Sequence, residues 1–98
     1  MVNVIARSRL KSGCMEEYLR ILKANVPTVL AEEGCLRYEP CLDVDADPAK
    51  GEYVTILESW ESQAHLQAHL ATKHMAASRD AVAPLREENN VLVVTPAC

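Results

Sequence analysis

The sequence predicts an α+β domain in which two helical regions cover one face of a four-stranded antiparallel sheet. Four stretches have the apolar pattern of strands, and the stretches between the first and second and between the third and fourth have helical spacing. The predicted order is therefore β-α-β-β-α-β, which is typical of the ferredoxin-like split βαβ arrangement. Ninety-eight residues suit one modest core, so we expect a single domain over residues 1–98.

The first strand and the first helix account for the opening third of the chain. Residues 2–9 alternate between a more apolar and a more polar face, as a strand does. From about Cys14 the apolar positions follow a helical stripe, and Gly34 would end this segment as a helix C-terminal glycine. We therefore expect helix one to run to about Glu33. Pro27 cannot donate to the preceding turn, so a kink or a restart is expected there.

The second strand is expected at residues 35–42. One face of it would carry Leu36, Tyr38, Pro40 and Leu42. Pro40 requires an edge position or a bulge, because it has no backbone N–H to donate to a neighbouring strand. The loop at residues 43–51 then leads to the third strand.

The third strand, from Glu52 to Trp60, leads directly into the second helical region. Its even-numbered residues share one face of the strand, namely Val54, Ile56, Glu58 and Trp60. Ser62 provides the oxygen that a helix start needs for its free amides. A further helical piece is expected from about Met75 to Glu87, and a last strand at residues 91–95.

Composition and charge exclude several classes of function. The net charge is −4, and acidic and basic residues are interspersed without a basic patch. This argues against nucleic acid or an anionic membrane as a partner and favours a small neutral or phenolic substrate. The amino terminus lacks the apolar run of a signal peptide and no longer apolar run follows, so we expect a cytoplasmic protein.

Neither the cysteines nor the acidic loop predicts a metal or a disulfide. The four cysteines have spacings that fit no zinc site or redox pair, and we expect reduced thiols. Asp43, Asp45 and Asp47 imitate the start of a calcium loop, but Pro48 occupies the position of its glycine and Val54 that of its glutamate. We therefore interpret residues 43–51 as a solvated turn and expect no metal.

The segment from Glu58 to His74 carries most of the candidate acids and bases. His65 and His69 lie four residues apart on one helix face, but no glutamate follows the first histidine as in the metalloprotease signature. One imidazole could instead act as a general base, or be a buried helix histidine satisfied by backbone carbonyls. Glu58 is either a buried paired acid or an exposed carboxylate. Trp60 is either core or a wall for a flat aromatic ligand.

Two blocks of sequence resemble the antibiotic biosynthesis monooxygenase family. The first runs from Asn25 to Asp43 and is similar to the family's segment of an Asn followed by an acid, Gly, a small residue, Leu, Arg and an aromatic. The second is ESWESQAHLQAHLATKH, which is similar to the family's Glu-x-Trp, Ser cap and paired histidines. This chain departs from the family at Glu33, His65 and Lys73. Haem-degrading relatives carry an Asn where this chain has Ala6, so the resemblance disfavours haem degradation.

The resemblance implies a homodimer in which two sheets pack into an α/β barrel, each subunit keeping a pocket between its own sheet and helices. No flavin, haem or metal is implied for the quinol-oxidising branch, in which a base deprotonates the phenol and the anion passes an electron to oxygen. His69 is the candidate base, Glu58 or Asn25 would orient the base or the substrate, and His74 could be a second proton carrier. The expected catalytic residues are therefore His69, Glu58 and His74, and the expected substrate-binding residues are Trp60, Asn25 and Tyr38.

Three functions remain open on the sequence. The first is a cofactor-independent monooxygenase that acts on a quinol or polycyclic phenol with molecular oxygen. The second is an isomerase that transfers a proton on a small carbonyl compound, with or without a phosphate group, using the same histidines. The third is a non-catalytic dimeric domain that binds a ligand. Trp60 favours the aromatic substrate, because the sugar-isomerase relative has a different aromatic residue there.

Overall fold

A computed structural model describes residues 1–98 and has the predicted split βαβ arrangement. The sheet is antiparallel throughout, with the strand order β2-β3-β1-β4. Its strands are β1 (Val2–Leu10), β2 (Cys35–Leu42), β3 (Glu52–Trp60) and β4 (Arg86–Val94), and its helices are α1 (Met15–Leu30), α2 (Gln63–Leu70) and α3 (Lys73–Val82).

Helix α1 differs from the expectation at Pro27 and at its end. The helix continues through Pro27 to Leu30 without restarting. Proline lies near the last turn, so its missing N–H removes one hydrogen bond only, while Leu22 and Val29 hold both sides of it in the core. The helix ends before Glu33, and Gly34, at a φ of +80°, belongs to the turn that follows.

The predicted helix from Met75 to Glu87 is wrong at its end, and the predicted last strand is too short. Thr72 caps α3 by accepting the N–H of Met75, and α3 ends at Val82 before a single 3₁₀ turn that contains Pro84. β4 then begins at Arg86, because pairing with β1 opposite Leu10 overrides the weak strand propensity of the polar residues 86–90.

β2 is an edge strand, as Pro40 requires. A register shift between Cys35 and Arg37 leaves Leu36 about half exposed. Leu36 therefore does not share the buried face of Tyr38, contrary to the prediction from the sequence. A bulge of this kind re-aims the side chains next to it.

The core lies between the helices and the inner face of the sheet, which carries the even-numbered residues of β1 and β3. Two groups of buried side chains form it, one around Trp60 and Val29 and the other around Leu22 and Val54. None of the helices combines the length and the apolar character that a membrane-spanning segment needs. The four cysteines are free.

Candidate active site

A cavity of about 150 Å³ lies between the inner face of the sheet and helices α2 and α3. Most of its wall is aliphatic, from β1, β3, β4 and the two helices. His69, Glu58 and Tyr38 line it together, so three of the six predicted site residues meet at this cavity.

His69 is held in one orientation by Glu32. Ser62 caps α2 by accepting the N–H of His65, and His69 then lies one turn further along, with its side chain 1% exposed. Its Nδ1 lies 2.7 Å from Oε2 of Glu32. A carboxylate only accepts hydrogen bonds, so Nδ1 is assigned as the donor, and in the neutral imidazole Nε2 then has the free lone pair.

The Nε2 atom of His69 is buried and has no hydrogen-bond partner in the protein. Its nearest charged neighbour is Oε1 of Glu58, at 3.9 Å, which is beyond hydrogen-bonding distance. An unpaired buried polar atom costs about 1–3 kcal/mol. His69 lines the cavity, so a ligand bound there is the group that would supply the missing proton to this nitrogen.

Glu32 also accepts a hydrogen bond from His74, which lies on the side of Glu32 away from the cavity. Nε2 of His74 is 3.1 Å from the same Oε2 atom, and Thr72 fixes this region by donating to the carbonyl of His69. His74 is 29% exposed, so the path from His69 through Glu32 to His74 ends at the surface.

Gly34 explains how Glu32 comes so close to helix α2. A Cβ at Gly34 would lie 2.3 Å from Cγ of His65, so only glycine lets the turn pack against this helix. His65 contacts this turn and hydrogen-bonds Ser62, and it does not line the cavity. It is therefore a packing residue.

Glu58 and Trp60 both lie next to His69. The indole N–H of Trp60 donates to Oε1 of Glu58 at 3.0 Å, and the Trp60 ring lies 4.5 Å from that of His69. Burial raises the pKa of Glu58 above its ordinary value, which outweighs the lowering by the hydrogen bond from Trp60 and by the nearby His69.

Replacing Glu58 with glutamine is expected to stabilise the protein at alkaline pH. Because the folded pKa of Glu58 is raised, the stability it contributes is fully present below the unfolded value and is lost as pH rises through the folded value. Glutamine mimics the protonated acid and still accepts from Trp60. Thermal unfolding should give the variant the higher melting temperature at about pH 8 and nearly the parental one at about pH 4.

The exposed Glu61→Gln change is the matched control and should follow the parent at both pH values. Equal melting temperatures of Glu58→Gln and the parent across this range would contradict the raised pKa.

The other predicted binding residues take different places. Tyr38 lines the cavity with its ring edge toward His69, and burial together with the charge of Glu58 raises its pKa, so it stays a neutral phenol. Trp60 is fully buried and contacts the ring of His69, but it does not line the cavity. Asn25 contacts the sulfur of Met75 and does not reach the cavity.

Glu32, His69 and His74 are also the one group in the chain whose side chains could share a metal ion. Their ligand atoms lie within 4.8 Å of one another. Two histidines and a carboxylate are a known set for transition metals. The hydrogen bonds at 2.7 and 3.1 Å already account for this arrangement, however, because Glu32 accepts from both imidazoles.

The chain matches the family described as antibiotic biosynthesis monooxygenase over residues 1–81. It is 37% identical to an Escherichia coli K12 protein named "Probable quinol monooxygenase YgiN", and the alignment covers 98% of both chains.

Solved structures share the fold over nearly the whole chain. Rv0793 from Mycobacterium tuberculosis is 26% identical with a TM-score of 0.87, covering 99% of this chain and 95% of its own. PA3566 from Pseudomonas aeruginosa is 24% identical with a TM-score of 0.86, covering 99% and 94%. At 24% identity, the similarity to PA3566 shows a shared fold only.

Proposed function

Because this chain belongs to the antibiotic biosynthesis monooxygenase family, we propose that it oxidises a quinol or polycyclic phenol with molecular oxygen and needs no organic cofactor or metal. The family description and the name of YgiN both denote monooxygenases. The observation that carries the proposal is the unpaired Nε2 of His69, a base held by Glu32 at an apolar cavity.

The proposed reaction begins with proton transfer. Nε2 of His69 takes the hydroxyl proton of the substrate, and the resulting phenolate is electron-rich enough to pass one electron to oxygen. The two radicals combine at a ring carbon, and the peroxide anion that forms takes the proton back from the His69 imidazolium to give a hydroperoxide. Loss of the proton on that carbon then breaks the O–O bond, leaving a carbonyl and releasing water. The substrate supplies all the electrons, one oxygen atom enters the product and the other leaves as water.

The surrounding residues have supporting roles in this proposal. Glu32 stabilises the imidazolium that forms at His69, and the partly exposed His74 serves as a second proton carrier toward solvent. Tyr38 and the aliphatic wall place the reactive anion against apolar surface. Glu58 faces the same end of the cavity, where its acid group contacts the substrate hydroxyl.

Oxygen consumption tests this function. The purified protein, dialysed against a chelator, should consume one equivalent of oxygen per equivalent of a naphthoquinol or anthrone. With isotopically labelled oxygen gas, the product should gain one labelled atom. A protein that consumes no oxygen with any such substrate, but exchanges a carbon-bound proton of a carbonyl compound with solvent, would support the isomerase function instead.

We also propose that two copies associate through the outer face of the sheet. Helices cover the inner face only, and the outer face carries adjacent apolar side chains on three strands, Ile5, Leu57, Leu92 and Val94. Leu92 is 57% exposed in the single chain, and Ile5 and Val94 are both 39% exposed. Association would bury them. Sedimentation at micromolar concentration should give the mass of a dimer, and a monomer mass would contradict the barrel arrangement.

A further inference from the structure

Two arginines line the same cavity without a carboxylate partner. Arg79 lies on α3 and Arg86 at the start of β4, and both line the cavity that contains His69. Arg79 donates to the backbone carbonyl of Leu70, whereas Arg86 makes no side-chain hydrogen bond or ion pair. The chain has 14 acidic and 10 basic residues, so carboxylates are abundant elsewhere. Neither guanidinium group has its charge neutralised by a carboxylate, so both are available to an anionic ligand.

A hydrogen-bonded chain adds a third donor to this cavity. The hydroxyl of Tyr18 donates to Oγ of Ser8 at 3.2 Å, and the Ser8 hydroxyl donates to Oδ1 of Asn89 at 3.0 Å. Ser8 and Tyr18 are both buried. Because Oδ1 of Asn89 is occupied, the amide N–H groups of Asn89 remain free where this residue lines the cavity.

The strand register separates Arg86 and Asn89 from the catalytic end. Val4 pairs with Glu58, whereas Ser8 pairs with Asn89, four residues further along β1. Four residues of a strand span about 14 Å. Between the two ends the wall is apolar, with Ala6, Ile56 and Val91. The cavity thus has a base at one end, donors and positive charge at the other, and an apolar middle.

We propose that the substrate is a hydroxylated aromatic compound with an anionic arm, whose anion binds Arg79, Arg86 and Asn89 while its hydroxyl meets His69. The proposal rests on the function proposed above and names its substrate class. The cavity volume of about 150 Å³ accommodates the aromatic ring that carries the hydroxyl. The arm then extends from the ring toward the arginines. Guanidinium groups bind carboxylate and phosphate alike through paired hydrogen bonds.

Matched ligands test the anion site independently of turnover. Calorimetry under nitrogen compares a hydroquinone with a propionate arm against its primary amide. The parent protein should bind the acid about ten- to a hundredfold more tightly than the amide, as expected for hydrogen bonds to a charged group. A phosphate ester on an arm of the same length identifies which anion is preferred, and a preference for either over the amide supports the site.

The variants Arg86→Gln and Arg79→Gln should each reduce this preference, and the double variant should abolish it while binding the amide with parental affinity. Arg20→Gln is the control, because Arg20 is exposed on α1 beside Glu17, and it should keep the full preference. Equal affinities of the parent for acid and amide, or an intact preference in the double variant, would overturn the proposal. Arginine-dependent binding without oxygen consumption would contradict the oxidation chemistry but not the anion site. Turnover of neutral quinols without a preference for the anionic ligand would contradict the anion site but not the oxidation chemistry.

Discussion

Replacing His69 with alanine is expected to lower kcat/KM for quinol oxidation by about a hundred- to ten-thousandfold, the usual effect of removing a positioned base. The reason is that His69 lines the cavity and supplies the one buried side-chain nitrogen that lacks a partner. Oxygen uptake with a naphthoquinol measures the loss.

His65→Ala is the matched control for this prediction. His65 lies on the same helix but contacts Ser62 and the Gly34 turn, outside the cavity, so the variant should keep activity within a few-fold of the parent. Circular dichroism should show that both variants keep the fold. Near-parental activity in both would mean that His69 is not the base.

Glu32→Gln should lower kcat/KM by about ten- to a hundredfold, because hydrogen bonds to charged groups contribute about 1.5–3 kcal/mol. Glutamine has nearly the same shape, and its carbonyl oxygen can still accept from Nδ1 of His69 and from His74. It lacks the negative charge that stabilises the imidazolium formed when Nε2 takes the substrate proton. The loss should appear in kcat/KM without a large change in melting temperature.

Glu33→Gln is the control for this second variant. Glu33 is adjacent in sequence, but its side chain is 93% exposed and lies near His65 only. It should retain parental activity. If Glu32→Gln were as active as Glu33→Gln, the negative charge of Glu32 beside His69 would have no part in the reaction.

The sequence predicted best those parts of the site that follow from local periodicity. Alternation along β3 placed Glu58 and Trp60 on the buried face, and Ser62 marked the start of α2. Four-residue spacing put His69 one turn beyond His65. Each of these inferences depends on neighbours in the chain, for which period and capping chemistry are sufficient.

The rest of the site depends on contacts between distant residues. Glu32 is 37 residues from His69 and lies in a turn, where no periodicity selects it from the adjacent Glu33. The only signal in the sequence was Gly34, which marks a turn but not the helix that packs on it. Trp60 was expected at a pocket wall and lies behind His69, because strand alternation fixes a face but not what covers it. Arg86 was assigned to a helix, since only pairing with β1 makes it part of a strand.

The protonation state of His69 is the direct test of whether Glu32 prepares Nε2 of this histidine as the base. Nitrogen NMR of the protein labelled with ¹⁵N-histidine distinguishes the two neutral tautomers near neutral pH. If Glu32 prepares Nε2 as the base, the parent should show His69 with its proton on Nδ1 and an unprotonated Nε2. A parent protein with the His69 proton on Nε2 would contradict the role of His69 as the base, because Nε2 would then have no lone pair to accept a proton.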